Sequence, residues 1–129
     1  MTVLVAYVSR PEGKAALDKG IEMAKRFQDD LVVVNASAAA GNDDAIASES
    51  EAKQIQDQLS ALGIKADFLQ FARGYSPHEE ILEVAKERNA SLIVIGLRKR
   101  SPVGKLFLGS VAQDILLTAS CPVLAVKAN

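Results

Sequence analysis

Glycines, a serine and several cations occur together in one stretch of the chain. Gly96 is followed after two residues by Lys99 and, after nine more, by Gly109-Ser110. No acid lies between residues 88 and 113, and the stretch carries three further cations, Arg98, Arg100 and Lys105. Glycine lets a backbone approach a ligand closely, and the free N–H groups at the start of a helix attract anions. The stretch therefore predicts an anion site, for which phosphate is the natural ligand.

Two common phosphate-binding motifs do not match the chain. Gly104-Lys105 resembles the end of a P-loop, but Leu106 stands where a Ser or Thr would meet magnesium. After the first predicted strand, residues 8–11 read Val-Ser-Arg-Pro, whereas a dinucleotide-binding protein would have G-x-G-x-x-G. The sequence thus argues against a P-loop NTPase and against a dinucleotide-dependent oxidoreductase.

Hydrophobic periodicity indicates the elements that would position this stretch. Apolar runs predict five strands, at residues 2–8, 31–36, 64–72, 92–95 and 122–126. Amphipathic segments between them predict four helices, of which the second begins near Ile46 after a loop at residues 37–44, and the third has Ser76 as its N-cap and Pro77 at its first position. The alternation predicts a doubly wound, open, parallel five-stranded α/β sheet with helices on both faces.

Sheets of this kind bind ligands beyond the carboxyl ends of their strands, where the strand order reverses. If the first and fourth strands are neighbours there, the crevice is bordered by Tyr7-Val8 and Gly96-Leu97. The basic stretch follows the fourth strand directly, so it lies at the same edge of the sheet.

Composition limits the classes of function. A chain of 129 residues with 49% hydrophobic content supports one domain, residues 1–129, with a real core. The net charge of −1 gives no global basic field for nucleic acid. Cys121 is the only cysteine, which fits a reducing compartment, and the apolar run at residues 3–6 is too short for a signal peptide or membrane span. We expect a cytoplasmic protein without membrane or nucleic-acid partners.

These features, in this order, resemble the universal stress protein family from the first strand to Lys127. The family's nucleotide-binding motif is a glycine, two residues, a glycine, nine residues, then glycine and Ser or Thr. Gly96 and Gly109-Ser110 match it, and Lys99 stands at the second glycine. The resemblance implies an adenine nucleotide alpha hydrolase-like fold with strand order 3-2-1-4-5. It also implies ATP or AMP in the crevice and a role in the stress response.

The resemblance further implies where a nucleotide would lie, with the base toward Ala36 and the phosphates at Gly109-Ser110. The family usually has Asp-Gly-Ser after the first strand, and this chain has Val8-Ser9-Arg10. Lys99 has two interpretations, since its side chain could contact phosphate or its Cβ could block the approach of the ligand. The candidate binding residues are Tyr7, Val8, Ala36, Gly96, Leu97, Arg98, Lys99, Gly109, Ser110 and Val111.

Three functions stay open at this point. The first is regulatory nucleotide binding, and the second is a dimeric interaction module that binds no nucleotide, which Val8 and Lys99 favour. The third is a slow ATPase; fast hydrolysis would need a base and usually magnesium ligands, and the loop offers cations but no acid. The sequence identifies no metal site and no signalling partner.

The remaining chemically notable residues have ordinary interpretations. His78 is expected to be exposed at the surface, with no nearby Ser, Cys or acid pair that requires a catalytic role, and Cys121 to be a buried packing residue. Acidic residues around the second helix start are expected to be solvated: Asp43, Asp44, Glu49 and Glu51.

Every side chain from Val123 to Val126 is apolar, which predicts a homodimer through the last strand, residues 122–126.

Overall fold

The computed structural model describes residues 1–38, 44–100 and 105–128, and for Lys99, Arg100 and Lys105 it describes the backbone alone. The strands within these ranges are β1 (Thr2–Ala6), β2 (Asp30–Ala36), β3 (Ala66–Phe71), β4 (Ala90–Arg100), β5 (Lys105–Phe107) and β6 (Val123–Lys127). The helices are α1 (Pro11–Phe27), α2 (Glu49–Ser60), α3 (Pro77–Glu87) and α4 (Ser110–Thr118). The predicted alternation of strands and helices is confirmed. Most of the predicted loop at residues 37–44 lies outside the described residues.

Five strands form a parallel sheet in the order β3-β2-β1-β4-β6. The predicted order 3-2-1-4-5 is confirmed for these strands, because the predicted fifth strand is β6. The sixth strand, β5, is the difference from the prediction. It runs antiparallel to the end of β4, with Arg98 opposite Phe107 and Arg100 opposite Lys105.

The pairing of β4 with β5 corrects the predicted extent of the fourth strand. The sequence predicts a strand at residues 92–95 that stops at Gly96, followed by a basic loop, but β4 continues through the cations to Arg100. A hairpin can carry polar side chains where it faces water, so positive charge does not prevent strand pairing. The guanidinium of Arg98 also lies 5.0 Å from the ring centroid of Phe107, which supports the pairing across the hairpin.

The core lies on both faces of the central strands. Leu4, Val33 and Val94, from β1, β2 and β4, are fully buried, as expected for unbroken apolar runs in a parallel sheet. Helices α1 and α2 pack on one face and α3 and α4 on the other, and each pair contributes its own apolar cluster. This arrangement places the starts of α1 and α4 on opposite sides of the carboxyl ends of the strands.

Two helix starts differ in detail from the predictions. Helix α2 begins at Glu49 rather than near Ile46, and the hydroxyl of its N-cap Ser48 accepts a hydrogen bond from the Glu51 N–H at 3.2 Å. Helix α3 begins with Pro77 after Ser76, as predicted, but the Ser76 hydroxyl makes no capping hydrogen bond. It pairs instead with His78 Nδ1 at 2.8 Å. None of the helices in the described part of the chain is long and apolar enough to cross a membrane.

Candidate functional site

A cavity of about 280 Å³ lies at the carboxyl ends of the central strands, where the strand order reverses between β1 and β4. Its volume is close to the lower end of the range for small-molecule pockets, roughly 300 Å³. Tyr7, Val8 and Ala36 line it from the ends of β1 and β2, and Gly96 lines it from β4. The start of α4 closes the opposite side. The crevice expected from the strand order is therefore present.

The first turn of α4 lines this cavity with several backbone N–H groups. The first intrahelical hydrogen bond runs from the Gln113 N–H to the Gly109 carbonyl at 2.8 Å. The N–H groups of Ser110, Val111 and Ala112 therefore have no acceptor within the helix. These three residues and Gly109 all line the cavity, and the first turn carries no acid. Such a helix start attracts an anion through its free donors and its dipole.

The surroundings of the two glycines of the motif differ. A Cβ on Gly96 would lie 2.0 Å from the carbonyl oxygen of Glu12, so the packing of α1 on β4 excludes any side chain there. A Cβ on Gly109 would meet no heavy atom of the described residues within 4 Å, and its φ of −61° is available to any residue. The fold thus explains Gly96 and leaves open space at Gly109.

Two of the predicted binding residues, Leu97 and Arg98, are not among the described residues that line the cavity. The Leu97 carbonyl accepts a hydrogen bond from the Ala128 N–H at 2.9 Å, and Arg98 stacks on Phe107 with its Nε 4.0 Å from Glu12 Oε2. Leu97 thus contacts the chain beyond β6 in the sheet, and Arg98 packs across the hairpin of β4 and β5. The side chain of Lys99 lies outside the described residues, so both of its interpretations stay predictions.

Asn35, which the sequence analysis did not single out, fixes the wall at the β2 end of the cavity. Its side chain is fully buried, and its Nδ2 donates to the carbonyl oxygens of Tyr7 at 2.9 Å and Ala45 at 3.0 Å. Its Oδ1 accepts hydrogen bonds from the Ala47 N–H at 2.8 Å and from Gln70 Nε2 at 3.1 Å. The sequence did contain a signal for this role of Asn35. A polar residue inside an apolar buried strand must find hydrogen-bond partners.

Glu51 is not the solvated acid that the sequence predicts. Its carboxylate accepts hydrogen bonds from the Tyr7 hydroxyl and, at 2.6 Å, from the Ser9 hydroxyl, so it ties α2 to the end of β1. Burial acts to raise the pKa of Glu51, but the bonds from Ser9 and Tyr7 and the charge of Lys14 outweigh it and lower the pKa. Burial, together with Glu51, raises the pKa of the Tyr7 phenol, which therefore keeps its proton.

The other acids near the start of α2 are more exposed than Glu51 where the structure describes them. Asp44 is exposed and forms an ion pair with Arg10 at 2.8 Å, and Glu49 is exposed in the first turn of α2. Asp43 lies outside the described residues. The solvated interpretation therefore holds for Asp44 and Glu49 and fails for Glu51, whose partners are more than forty positions away in sequence.

Glu12 adds an acid to the cavity wall that the sequence analysis missed. It lies in the first turn of α1, where an acidic residue is already explained by the helix dipole. In the fold its side chain is only 12% exposed and it lines the cavity. The basic stretch contains no acid of its own, but the packing of α1 on β4 brings one beside it.

His78 and Cys121 lie away from this cavity wall. His78 is partly buried rather than fully exposed, and its Nδ1 is 2.8 Å from Ser76 Oγ and 3.4 Å from Asp114 Oδ2. Both partners meet the same ring nitrogen, whereas a catalytic triad uses both nitrogens. Cys121 is partly buried, and burial raises the pKa of its thiol, which favours the unreactive protonated form. The described residues include no group of three or more side chains arranged to hold a metal ion.

Comparison with known proteins gives a consistent assignment. Residues 1–127 match the model of the Universal stress protein family. A universal stress protein of Mycolicibacterium smegmatis is 43% identical over 126 residues, which cover 97% of this chain and 96% of that protein.

Solved structures agree with this match. A universal stress protein from Archaeoglobus fulgidus superimposes with a TM-score of 0.76 at 30% identity, covering 98% of this chain and 97% of that one. The universal stress protein from A. fulgidus in complex with dAMP gives a TM-score of 0.72 at 24% identity, covering 98% and 96%. The chain belongs to the universal stress protein family.

Proposed function

We propose that this protein is a stress-response regulator that binds an adenine nucleotide, AMP or ATP, in the cavity between β1 and β4. The observation that carries the proposal is the open space at Gly109 in front of the first turn of α4. Three N–H groups without an acceptor in the helix and Ser110 line that space, and a Cβ at position 109 would meet no heavy atom of the described residues within 4 Å. A phosphate group fits both the donors and the space.

The other end of the cavity suits a flat apolar base. Ala36 and Ala45 line it, and their methyl groups leave room for a ring. The related A. fulgidus structure was solved with dAMP. We place the base of the nucleotide toward Ala36 and the phosphate at Ser110, with Tyr7, Val8 and Gly96 between them.

The proposed activity is binding rather than rapid turnover. Fast phosphoryl transfer needs a positioned nucleophile, charge stabilisation and usually bound magnesium. Glu12 is the one carboxylate among the described residues that line the cavity. A single acid beside a helix start supports at most slow hydrolysis.

Calorimetry at low salt with AMP and ATP tests the proposal. The valine side chain of Gly109→Val occupies the space before α4, so we expect nucleotide affinity to fall at least about tenfold, the effect of losing one charge-assisted hydrogen bond. The circular dichroism spectrum should be unchanged. Ala61→Val, an exposed change outside the cavity, is the matched control and should bind like the wild type.

Mass spectrometry of the gently denatured protein, looking for co-purified nucleotide, gives an independent measurement. A folded wild-type protein that binds neither AMP nor ATP at millimolar concentration would contradict the proposal. The interaction-module interpretation would then replace it.

We also propose a homodimer through β6. Within the described chain β6 pairs with β4 alone, and Val123, Leu124 and Val126 are only partly buried. A second copy of the strand would satisfy the free backbone edge and cover these side chains.

We expect the protein to act in the cytoplasm, where the dimer would meet a signalling partner.

A further inference from the structure

The carboxylate of Glu12 is poorly compensated in the cavity wall. Its Oε1 is inaccessible to water and has no hydrogen-bond partner among the described residues. Its Oε2 lies 4.0 Å from Arg98 Nε, which is too far for a hydrogen bond. A buried acceptor without a donor is costly, and the cost is larger for a charged group. The wall therefore offers an acceptor that a donor on a ligand would satisfy.

The position of Glu12 indicates which part of a nucleotide would supply that donor. Its backbone packs against Gly96 of β4, on the face of the sheet covered by α1, whereas Ser110 approaches from the opposite face. Ala36 lies two strands away, at the end of β2. A nucleotide with its phosphate at Ser110 and its base at Ala36 would have its sugar over the ends of β1 and β4, where Glu12 lines the same cavity.

The chemistry of a carboxylate agrees with this placement. An ionised carboxylate only accepts hydrogen bonds and repels phosphate, so a neutral hydroxyl is a suitable partner. The terminal torsion of Glu is broad and roughly two-fold, so rotation about it can turn either carboxylate oxygen toward a ligand. Ribose provides such hydroxyls at its 2′ and 3′ positions.

We infer that Glu12 accepts a hydrogen bond from a ribose hydroxyl of the bound nucleotide and so selects ribonucleotides over analogues without these hydroxyls. The inference rests on the proposed function, since it places Glu12 in the same cavity. It assigns Glu12 a role in specificity rather than in chemistry.

Calorimetry with AMP and 2′,3′-dideoxy-AMP tests the inference. The wild type should bind AMP at least about tenfold more tightly than the dideoxy analogue, as expected for one hydrogen bond to a charged group. Glu12→Met, which keeps the side-chain length and removes the acceptor, should bind the two ligands equally. Glu49→Met is the matched control, because Glu49 is an exposed acid in the first turn of α2, and it should keep the preference for AMP.

The possible outcomes separate this inference from the proposed function. Equal binding of both ligands by the wild type would overturn the role of Glu12 and leave the nucleotide site standing. Retained preference in Glu12→Met, or binding of AMP by Glu12→Met more tightly than by the wild type, would also overturn it. If the wild type binds neither ligand, both proposals fail. If Glu12→Met does not fold, Glu12→Gln keeps the shape and should reduce the preference, because a neutral amide is the weaker acceptor.

Discussion

For single residues, the two glycines of the family motif differ: the packing of the fold requires one of them, and the other has open space around it among the described residues. Gly96 is held against the Glu12 carbonyl so closely that no Cβ fits, whereas a Cβ on Gly109 would meet no described residue, and its backbone conformation is ordinary. A motif therefore does not give all its members one role. The local surroundings of each glycine show which role it has.

Alanine at each of these positions tests that division. In Gly96→Ala the new Cβ would lie 2.0 Å from a carbonyl oxygen, so α1 or β4 must shift, and we expect a loss of about 1–3 kcal/mol in unfolding free energy. In Gly109→Ala the weaker N-cap preference of Ala is offset by lower entropy of the unfolded chain, each roughly 0.5–1 kcal/mol, and stability should hardly change. Urea unfolding followed by circular dichroism measures both. Equal losses in the two variants would refute the distinction.

At the scale of elements, the cavity is shaped by contacts that join distant parts of the chain. Asn35 of β2 links the residue after β1, the segment before α2, and β3. Glu51 of α2 holds Tyr7 and Ser9 beyond the end of β1. The cavity wall is therefore formed by hydrogen bonds between elements rather than by one rigid element.

Replacing Asn35 should weaken both the fold and the cavity. Asn35→Leu removes the donor to the Tyr7 carbonyl and the acceptor of the Ala47 N–H, whereas the Ala45 carbonyl keeps its bond from the Ser9 N–H. We expect a loss of about 2–4 kcal/mol in unfolding free energy, since each unsatisfied buried group costs about 1–3 kcal/mol. AMP affinity should fall as well, because Ala45 lines the cavity. Thermal unfolding and calorimetry measure the two effects.

Gln70→Leu provides the comparison for this prediction. Gln70 donates to Asn35 Oδ1 and to the Ala47 carbonyl, but it is exposed, so water can replace it and the loss should be smaller. If Gln70→Leu destabilises the protein as much as Asn35→Leu, the wall does not depend on the buried amide.

The elements also show what the sequence could and could not predict. The buried strands and the helix at Pro77 were predictable, because hydrophobic period and capping residues are local signals. The pairing of β4 with β5 was not, since charged residues in a loop and in a hairpin look alike until the partner strand is known. The roles of Glu12 and Glu51 in the cavity wall were missed for a different reason. Each acid already has an ordinary explanation at the start of its own helix.

At the scale of the whole molecule, the open question is what covers the outer edge of β6. Ala125 is exposed there, and Leu116 and Leu117 on the preceding helix are exposed as well. An edge strand with apolar side chains is a template for pairing with another chain. Since closed two-fold symmetry is the commonest arrangement of homo-oligomers, a second copy of β6 is the natural partner.

Sedimentation velocity should therefore give a particle of twice the chain mass of 13.7 kDa at micromolar concentration. Ala125→Lys should shift the equilibrium to monomer, because lysine on an edge strand opposes pairing and two copies would bring like charges together. Gln70→Lys, an exposed change on the opposite edge strand β3, is the matched control and should stay dimeric. A wild-type protein that remains monomeric at micromolar and higher concentrations would rule out the β6 dimer, and a dimer that persists in Ala125→Lys would place the interface elsewhere.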